Sequence, residues 1–139
     1  MSDDFPITIF HNPACGTSRN TVAMIEAAGY TPKVVEYLKV GWTPSQLQNL
    51  AAAMGGKLRD LIREKGTPAA ELGLLDANVT DDKILAAMVA NPILVNRPIV
   101  VTPKGARLCR PSELALDLID AKPAAFAKED GEVVIPEGR

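Results

Sequence analysis

The order of the predicted elements indicates an α/β fold. Apolar and β-branched residues at 7–10 and 33–38 predict two strands. Between them, apolar residues at helical spacing predict a helix over 17–28, so the chain opens as a β-α-β unit with parallel strands. A hairpin over 98–109 and a helix over 110–119 then give β-β-α at the other end of the domain.

Length and composition fit one domain. The chain has 139 residues, of which 47% are hydrophobic, and this is enough for one core but short for two. We expect a single domain over 1–121, with a helical insertion at about 43–91, followed by a tail over 122–139. The formal charge of −2 argues against a general binder of nucleic acid or membrane surfaces. The polar, acidic start and the lack of an apolar run of bilayer length predict a cytoplasmic protein.

The predicted insertion is helical. Start signals such as threonine caps and stop signals such as glycine and proline divide it into four helical segments. These segments lie at about 44–54, 58–62, 67–72 and 80–91. In the first of them, Thr43 and Gln46 are placed to close a capping box. In the last, Val89 is expected to face the core with its apolar neighbours.

The segment after the predicted hairpin completes the domain. The helix over 110–119 is amphipathic, so we expect it to pack on the sheet. Beyond Lys122, charge, proline and glycine outnumber periodic apolar residues. This composition predicts a loosely attached tail.

A tight polar turn before the first helix holds the most informative residue, Cys15. Unpaired N–H groups and the positive end of a helix dipole favour an anion at a helix start, either a thiolate or a bound oxyanion. Cys15 is therefore predicted to be a reactive thiol, although a free cysteine can also be an inert core residue. His11 and Arg19 lie close to it in sequence, which favours a lowered thiol pKa. Ser18 either caps the helix or donates to the thiolate.

Other candidates lie far from this turn. Arg63, Arg97 and Arg110 would suit a tetrahedral oxyanion, because each guanidinium is a planar fork of donors; surface ion pairs are the alternative. Pro98 begins a strand after a loop and is a candidate for a cis peptide bond. Cys109 ends an apolar strand, so packing is favoured over a resolving role. With two cysteines and no ligand cluster, neither a metal site nor a disulfide scaffold is expected.

Three ordered motifs carry a family resemblance. They are His11–Asn20 (HNPACGTSRN), Asn91–Pro103 (NPILVNRPIVVTP) and Arg107–Glu113 (RLCRPSE). Together they resemble the glutaredoxin-coupled bacterial arsenate reductases, from about Ile7 to Asp120. The resemblance implies a thioredoxin-like fold, with a mixed four-stranded sheet and a helical insertion between strands 2 and 3. It also favours a cis bond at Pro98, since such folds place a cis-proline beside the active-site cysteine.

The resemblance also implies roles for individual residues. Cys15 matches the nucleophile, while His11 and Ser18 match residues that keep it a thiolate. The oxyanion-binding arginines match Arg63, Arg97 and Arg110, and a shift from Arg63 to Arg59 stays open. Helix-start support is implied for Gly16, Thr17 and Arg19.

The implied activity is reduction of arsenate to arsenite. Cys15 would attack arsenate, glutathione would act as co-substrate, and glutaredoxin would be the protein partner; no tightly bound cofactor is expected. An alternative is a thioredoxin-like adaptor of RNA polymerase or a reductase of another substrate. The adaptor's switch commonly uses Cys-x-x-Cys, and Ser18 stands at the second position here. A phosphatase-like Cys-x5-Arg motif is excluded, because Thr21 stands where the arginine is needed.

Overall fold

The structure is a computed structural model, and it describes residues 5–123 and 126–135. Two compact units make up the chain. Residues Met1–Glu36 and Arg97–Arg139 form the first, and Tyr37–Asn96 form the second. Across the described residues, no helix has both the length and the apolar content needed to cross a bilayer.

The first unit is built on a mixed four-stranded sheet in the order β2-β1-β3-β4. Strands β1 (Thr8–His11) and β2 (Lys33–Glu36) are parallel, whereas β3 (Ile99–Thr102) is antiparallel to both β1 and β4 (Gly105–Leu108). Helix α1 (Gly16–Ala27) joins β1 to β2. The predicted α/β fold, with its parallel opening and antiparallel hairpin, is confirmed.

The core of the first unit lies between this sheet and the helices that follow β1 and β4. Its buried members come from β1, α1, β3 and the C-terminal helical segment, and include Ile9, Met24, Ile25, Val100 and Ile119. The C-terminal segment is a 3₁₀ helix, Ser112–Leu118, rather than the predicted α-helix. Its buried positions recur every three residues, which matches the three residues per turn of a 3₁₀ helix.

Two boundaries in the first unit differ from the sequence prediction. Helix α1 has Cys15 itself at its N-cap, so neither Thr17 nor Ser18 caps it. The second strand ends at Glu36, because the chain turns into a short helix at Tyr37, whose ring is fully buried. The residue that follows the C-cap of α1 is Gly29, which is left-handed with φ of 99°.

The described residues after Lys122 pair as two short strands and form ion pairs with the rest of the first unit. Strands β5 (Phe126–Ala127) and β6 (Val133–Ile135) pair antiparallel. Lys128 forms an ion pair with Glu113 at 2.8 Å, and Glu129 pairs with Arg19 at 2.8 Å. Phe126 also packs against the core of the first unit. How tightly the tail is attached stays a prediction. The predicted tail residues 124–125 and 136–139 lie outside the described part.

The second unit is helical, as the insertion was predicted to be. It contains α2 (Tyr37–Val40), α3 (Pro44–Ala53) and α4 (Asp81–Ala90). Shorter 3₁₀ helices occupy Leu58–Leu61 and Pro92–Leu94.

Local sequence signals in this unit predict some of its features correctly and others not. Thr43 and Gln46 form the predicted capping box at the start of α3. The segment over 67–72 forms turns rather than a helix. Val89 is 39% exposed, so its predicted place in the core is wrong; in α4 the inward positions are Ile84, Leu85 and Met88.

Thr102 offers a test of how the hairpin is joined to the C-terminal 3₁₀ helix. Its buried hydroxyl donates to the Leu118 carbonyl at 2.7 Å and accepts from the Lys104 N–H at 3.0 Å. We expect Thr102→Val to lower the free energy of unfolding by about 1–3 kcal/mol, because backbone groups lose their partner. Urea denaturation measures this, with Thr8→Val in β1 as the control. Equal stability of the two variants would contradict the prediction.

Candidate active site

Cys15 is held at the start of α1 by a turn that begins at Asn12. The Cys15 N–H donates to the Asn12 carbonyl at 3.0 Å, and the Ala14 N–H donates to the Asn12 side-chain oxygen at 2.9 Å. Cys15 is only 9% exposed. The Cys15 side chain makes no capping hydrogen bond. The Ser18 backbone N–H nevertheless lies near enough to the sulfur to favour the thiolate.

The thiol of Cys15 has a pKa lowered to about 7. Burial opposes this, since it disfavours the charged form and raises the pKa. The nearby Ser18 backbone N–H, the Arg110 and Arg97 side-chain donors, and the charge of Arg97 together outweigh burial. A substantial fraction of Cys15 is therefore thiolate at neutral pH.

Two arginines from the hairpin converge on the sulfur. Arg110 Nη1 lies 3.5 Å from Cys15 Sγ and also donates to the Arg97 carbonyl at 2.9 Å. Arg97 precedes β3 and Arg110 follows β4, so the antiparallel hairpin brings them to the same end. Because β3 pairs with β1, this end lies beside the Cys15 turn. The Arg97–Pro98 peptide bond is cis, and so is the Arg110–Pro111 bond, which the sequence analysis did not anticipate.

His11 contacts Ser18 rather than the sulfur. Its Nδ1 lies 2.6 Å from the Ser18 hydroxyl oxygen, which also accepts from the Asn12 N–H at 3.1 Å. All three residues are buried. The Ser18 hydroxyl thus contacts His11 and Asn12 and does not cap the helix, whose N-cap is Cys15. Its role as a donor to the thiolate stays a prediction. The Ser18 contribution to the thiolate comes from its backbone.

His11 is a neutral residue in this setting. Burial lowers its pKa, and the charge of Arg19 lowers it further, against the opposing effect of Glu36. His11 therefore contacts the Cys15 turn through Ser18 and brings no positive charge to it.

Helix-start residues divide into two groups. Gly16 and Thr17 form the first turn of α1, and the Thr17 carbonyl accepts from the Thr21 hydroxyl at 2.9 Å. Arg19 instead binds Glu129 through two hydrogen bonds of 2.8 and 2.9 Å, and its Nη1 donates to the Pro13 carbonyl at 2.8 Å.

Arg63 and Arg59 belong to the second unit. The Arg63 guanidinium donates to the Lys65 carbonyl and to the Asn96 side-chain oxygen, each at 3.2 Å. Arg59 donates to the carbonyls of residues 77 and 79, at 3.4 and 3.3 Å. The oxyanion-binding role carried over to Arg63 stays a prediction.

Cys109 is a core residue with no exposed surface. Burial raises the pKa of its thiol to about 12. Packing is therefore the role that its surroundings support, since a neutral buried thiol is a poor nucleophile.

Asn12 is the site residue that sequence reasoning missed. Its carbonyl, side-chain oxygen and N–H all serve the turn around Cys15. The Asn-Pro dipeptide was the available signal, because asparagine before proline favours the start of a turn. Within the described part of the chain, no three His, Cys, Asp or Glu side chains gather as a metal ion would need.

The lowered thiol pKa can be measured directly. We expect alkylation of Cys15 by iodoacetamide to rise with pH about a midpoint near 7, because only the thiolate reacts. Arg110→Gln should shift the midpoint upward, since one donor to the sulfur is lost. Arg107→Gln, an exposed position in the same hairpin, is the matched control and should leave it unchanged. A midpoint at the ordinary thiol value in the unmodified protein would contradict the prediction.

The burial of His11 predicts a dependence of stability on pH. Its folded-state pKa is lowered, so between that value and the unfolded value of about 6.5 the unfolded chain binds more protons. Stability is therefore fully present above about pH 6.5 and is lost as the pH falls below it. We expect denaturant titrations between pH 7 and 5.5 to show this loss, and His11→Asn to reduce it. An identical loss in His11→Asn would assign the effect to other groups.

Comparisons with known proteins agree with this geometry. A family model described as the ArsC family matches residues 10–118. The chain is 61% identical to arsenate reductase ArsI2 of Synechocystis over 94% of each chain. It is 52% identical to arsenate reductase of Escherichia coli strain K12, again over 94% of each. An arsenate reductase structure from Vibrio cholerae superimposes with a TM-score of 0.79 at 37% identity, covering 83% of this chain and 98% of that one.

The matched region contains every residue that forms the Cys15 site in the first unit. Relatives align over nearly their whole length, so the similarity is not confined to the cysteine turn. The solved relative shares the fold as well as the sequence, and with it the thioredoxin-like architecture. This chain belongs to the ArsC family of arsenate reductases.

Proposed function

We propose that this protein reduces arsenate to arsenite, with Cys15 as the nucleophile. The observation that carries the proposal is the convergence of Arg97 and Arg110 on the Cys15 sulfur at the start of α1. These groups stabilise a thiolate in the free protein. They also provide forked donors for an oxyanion that approaches it.

Arsenate binding follows from the same donors. The start of α1 favours a bound anion, and the guanidinium groups offer paired N–H donors that match two oxygens of a tetrahedral oxyanion. Phosphate has nearly the same shape and charge, so we expect it to compete for the site. Selectivity for arsenate over phosphate then arises at the sulfur, where arsenic accepts the thiolate and is reduced.

The first chemical step is a substitution at arsenic. The Cys15 thiolate attacks As(V), a sulfur–arsenic bond forms, and one arsenate oxygen leaves as water after taking up protons. Arg97 and Arg110 stabilise the negative charge on the remaining oxygens, which is the contribution expected of preorganised donors.

Reduction needs a thiol from outside the chain. Glutathione thiolate attacks the Cys15 sulfur, the electron pair of the sulfur–arsenic bond goes to arsenic, and arsenite leaves as As(III). The products are arsenite and a mixed disulfide between Cys15 and glutathione. Glutaredoxin then attacks the glutathione sulfur and releases Cys15 as a thiolate. Cys109 is unsuited to this task, because it is buried and its thiol pKa is raised to about 12.

This chemistry fits a reducing compartment, where glutathione keeps thiols reduced. We therefore infer a cytoplasmic protein that needs glutathione as co-substrate and glutaredoxin as partner. No nucleic acid or membrane is part of the proposal.

A coupled assay tests the reaction. We expect arsenate-dependent oxidation of NADPH with glutathione, glutathione reductase and glutaredoxin present, and none with Cys15→Ser. Arg110→Lys keeps the charge but loses the fork, so kcat/KM for arsenate should fall on the order of 100-fold. Arg107→Gln is the matched control and should stay near the unmodified rate. Full turnover by Cys15→Ser would overturn the assignment of the nucleophile.

The third arginine can be assigned in the same assay. The family resemblance favours Arg63 as an oxyanion ligand, with Arg59 as the alternative. We expect Arg63→Ala to raise KM for arsenate on the order of 10-fold or more, as loss of a charge-assisted hydrogen bond would. Arg59→Ala should leave KM unchanged. The reverse pattern would move the role to Arg59.

A further inference from the structure

Strands β5 and β6 form a second hairpin, the C-terminal hairpin, which contacts the active-site turn through one ion pair. Glu129 accepts two hydrogen bonds from Arg19, at 2.8 Å from Nε and 2.9 Å from Nη2. This is the paired-fork geometry that fixes orientation as well as distance. The pair joins residues 110 positions apart in sequence. Nothing in the reaction proposed above uses it.

The remaining arm of the same guanidinium holds the turn that presents Cys15. Arg19 Nη1 donates to the Pro13 carbonyl at 2.8 Å. Pro13 and Ala14 are exposed, so little packing fixes this part of the chain. The Pro13 carbonyl lies only two residues before Cys15, and the hydrogen bond to it restrains the turn from outside.

Glu129 lies in a segment that other hydrogen bonds and ion pairs hold in place. Its backbone N–H donates to the Asn20 side-chain oxygen at 3.0 Å. The neighbouring Lys128 pairs with Glu113 at 2.8 Å and with Glu132 at 3.1 Å, and its side chain is only 11% exposed. Backbone bonds between Lys128, Gly131 and Glu132 close the turn of the hairpin. The Glu129 carboxylate is therefore carried by a segment that is bonded at several points.

We propose that Glu129 is a positioning residue for Cys15, acting through Arg19 on the Pro13 carbonyl. The carboxylate orients the guanidinium, and the oriented guanidinium holds the turn in the shape that places the sulfur beside Arg97 and Arg110. The role is geometric, because an exposed ion pair contributes little to global stability. The Arg19 and Glu129 side chains are 43% and 51% exposed.

Amide hydrogen exchange tests this role without any substrate. The N–H groups of Ala14 and Cys15 are both bonded to Asn12 inside the turn. In Glu129→Gln we expect both to exchange on the order of 10-fold faster, because the turn opens locally more often. Glu113→Gln is the matched control. It cuts the ion pair between Lys128 and Glu113 and leaves Arg19 untouched, so exchange at Ala14 and Cys15 should not change.

The arsenate assay provides the second arm, and this arm alone depends on the proposed function. Small misplacements of a reacting group are costly, so Glu129→Gln should lower kcat/KM for arsenate on the order of 10-fold, with unfolding midpoints unchanged. Glu129→Asp, which keeps the carboxylate, should recover part of the loss. If the unmodified protein fails to turn over arsenate, the proposed function fails, while the exchange arm still decides the role of Glu129.

A double variant tests whether Glu129 acts through Arg19. If Glu129 acts only through Arg19, Glu129→Gln should add no further loss of kcat/KM in an Arg19→Gln background. Unchanged exchange at Ala14 and Cys15 in Glu129→Gln would overturn the proposal. Equal changes in Glu113→Gln would also overturn it, because general attachment of the hairpin would then explain the effect.

Discussion

A negative charge on a buried sulfur is the constraint around which the first unit is arranged. Burial alone favours the neutral thiol, so the thiolate requires several donors directed at one atom. The chain supplies them from three places: the first turn of α1, Arg97 shortly before β3 and Arg110 shortly after β4. Sheet pairing between β1, β3 and β4 is what brings these places together. The fold therefore forms the site by placing the ends of these strands next to one another.

The Cys15 turn shows how a polar network can shape a site without touching the reacting atom. Asn12 uses its carbonyl, side chain and N–H within the turn, and Ser18 links it to the neutral imidazole of His11. Each of these groups is buried and bonded, so the turn has few alternative arrangements. The Cys15 sulfur is thus positioned by neighbours that do not touch it.

Sequence reasoning succeeded where the determinants are local. Thr43 and Gln46 lie three residues apart and cap α3 by themselves, so their pattern was sufficient. The fold order was also readable, because strand and helix periods alternate along the chain. Convergence of Arg97 and Arg110 on Cys15 depends on strand register, and the Arg19–Glu129 pair joins distant segments, so neither follows from spacing alone. The contacts of the Ser18 hydroxyl with His11 and Asn12 likewise depend on how the turn folds, not on distance along the chain.

Because Cys109 is fully buried and has a raised thiol pKa, Cys15 is the thiol of this protein suited to react with oxidants. A thiolate with a pKa of about 7 is readily oxidised by peroxide to a sulfenic acid. Proteins with a nearby second cysteine protect such a group by closing an internal disulfide. Here the protective thiol must diffuse in, so under the proposed reaction the small-molecule thiol that completes each turnover would also guard Cys15 against irreversible oxidation. Depletion of that pool would stop turnover and remove this protection at the same time.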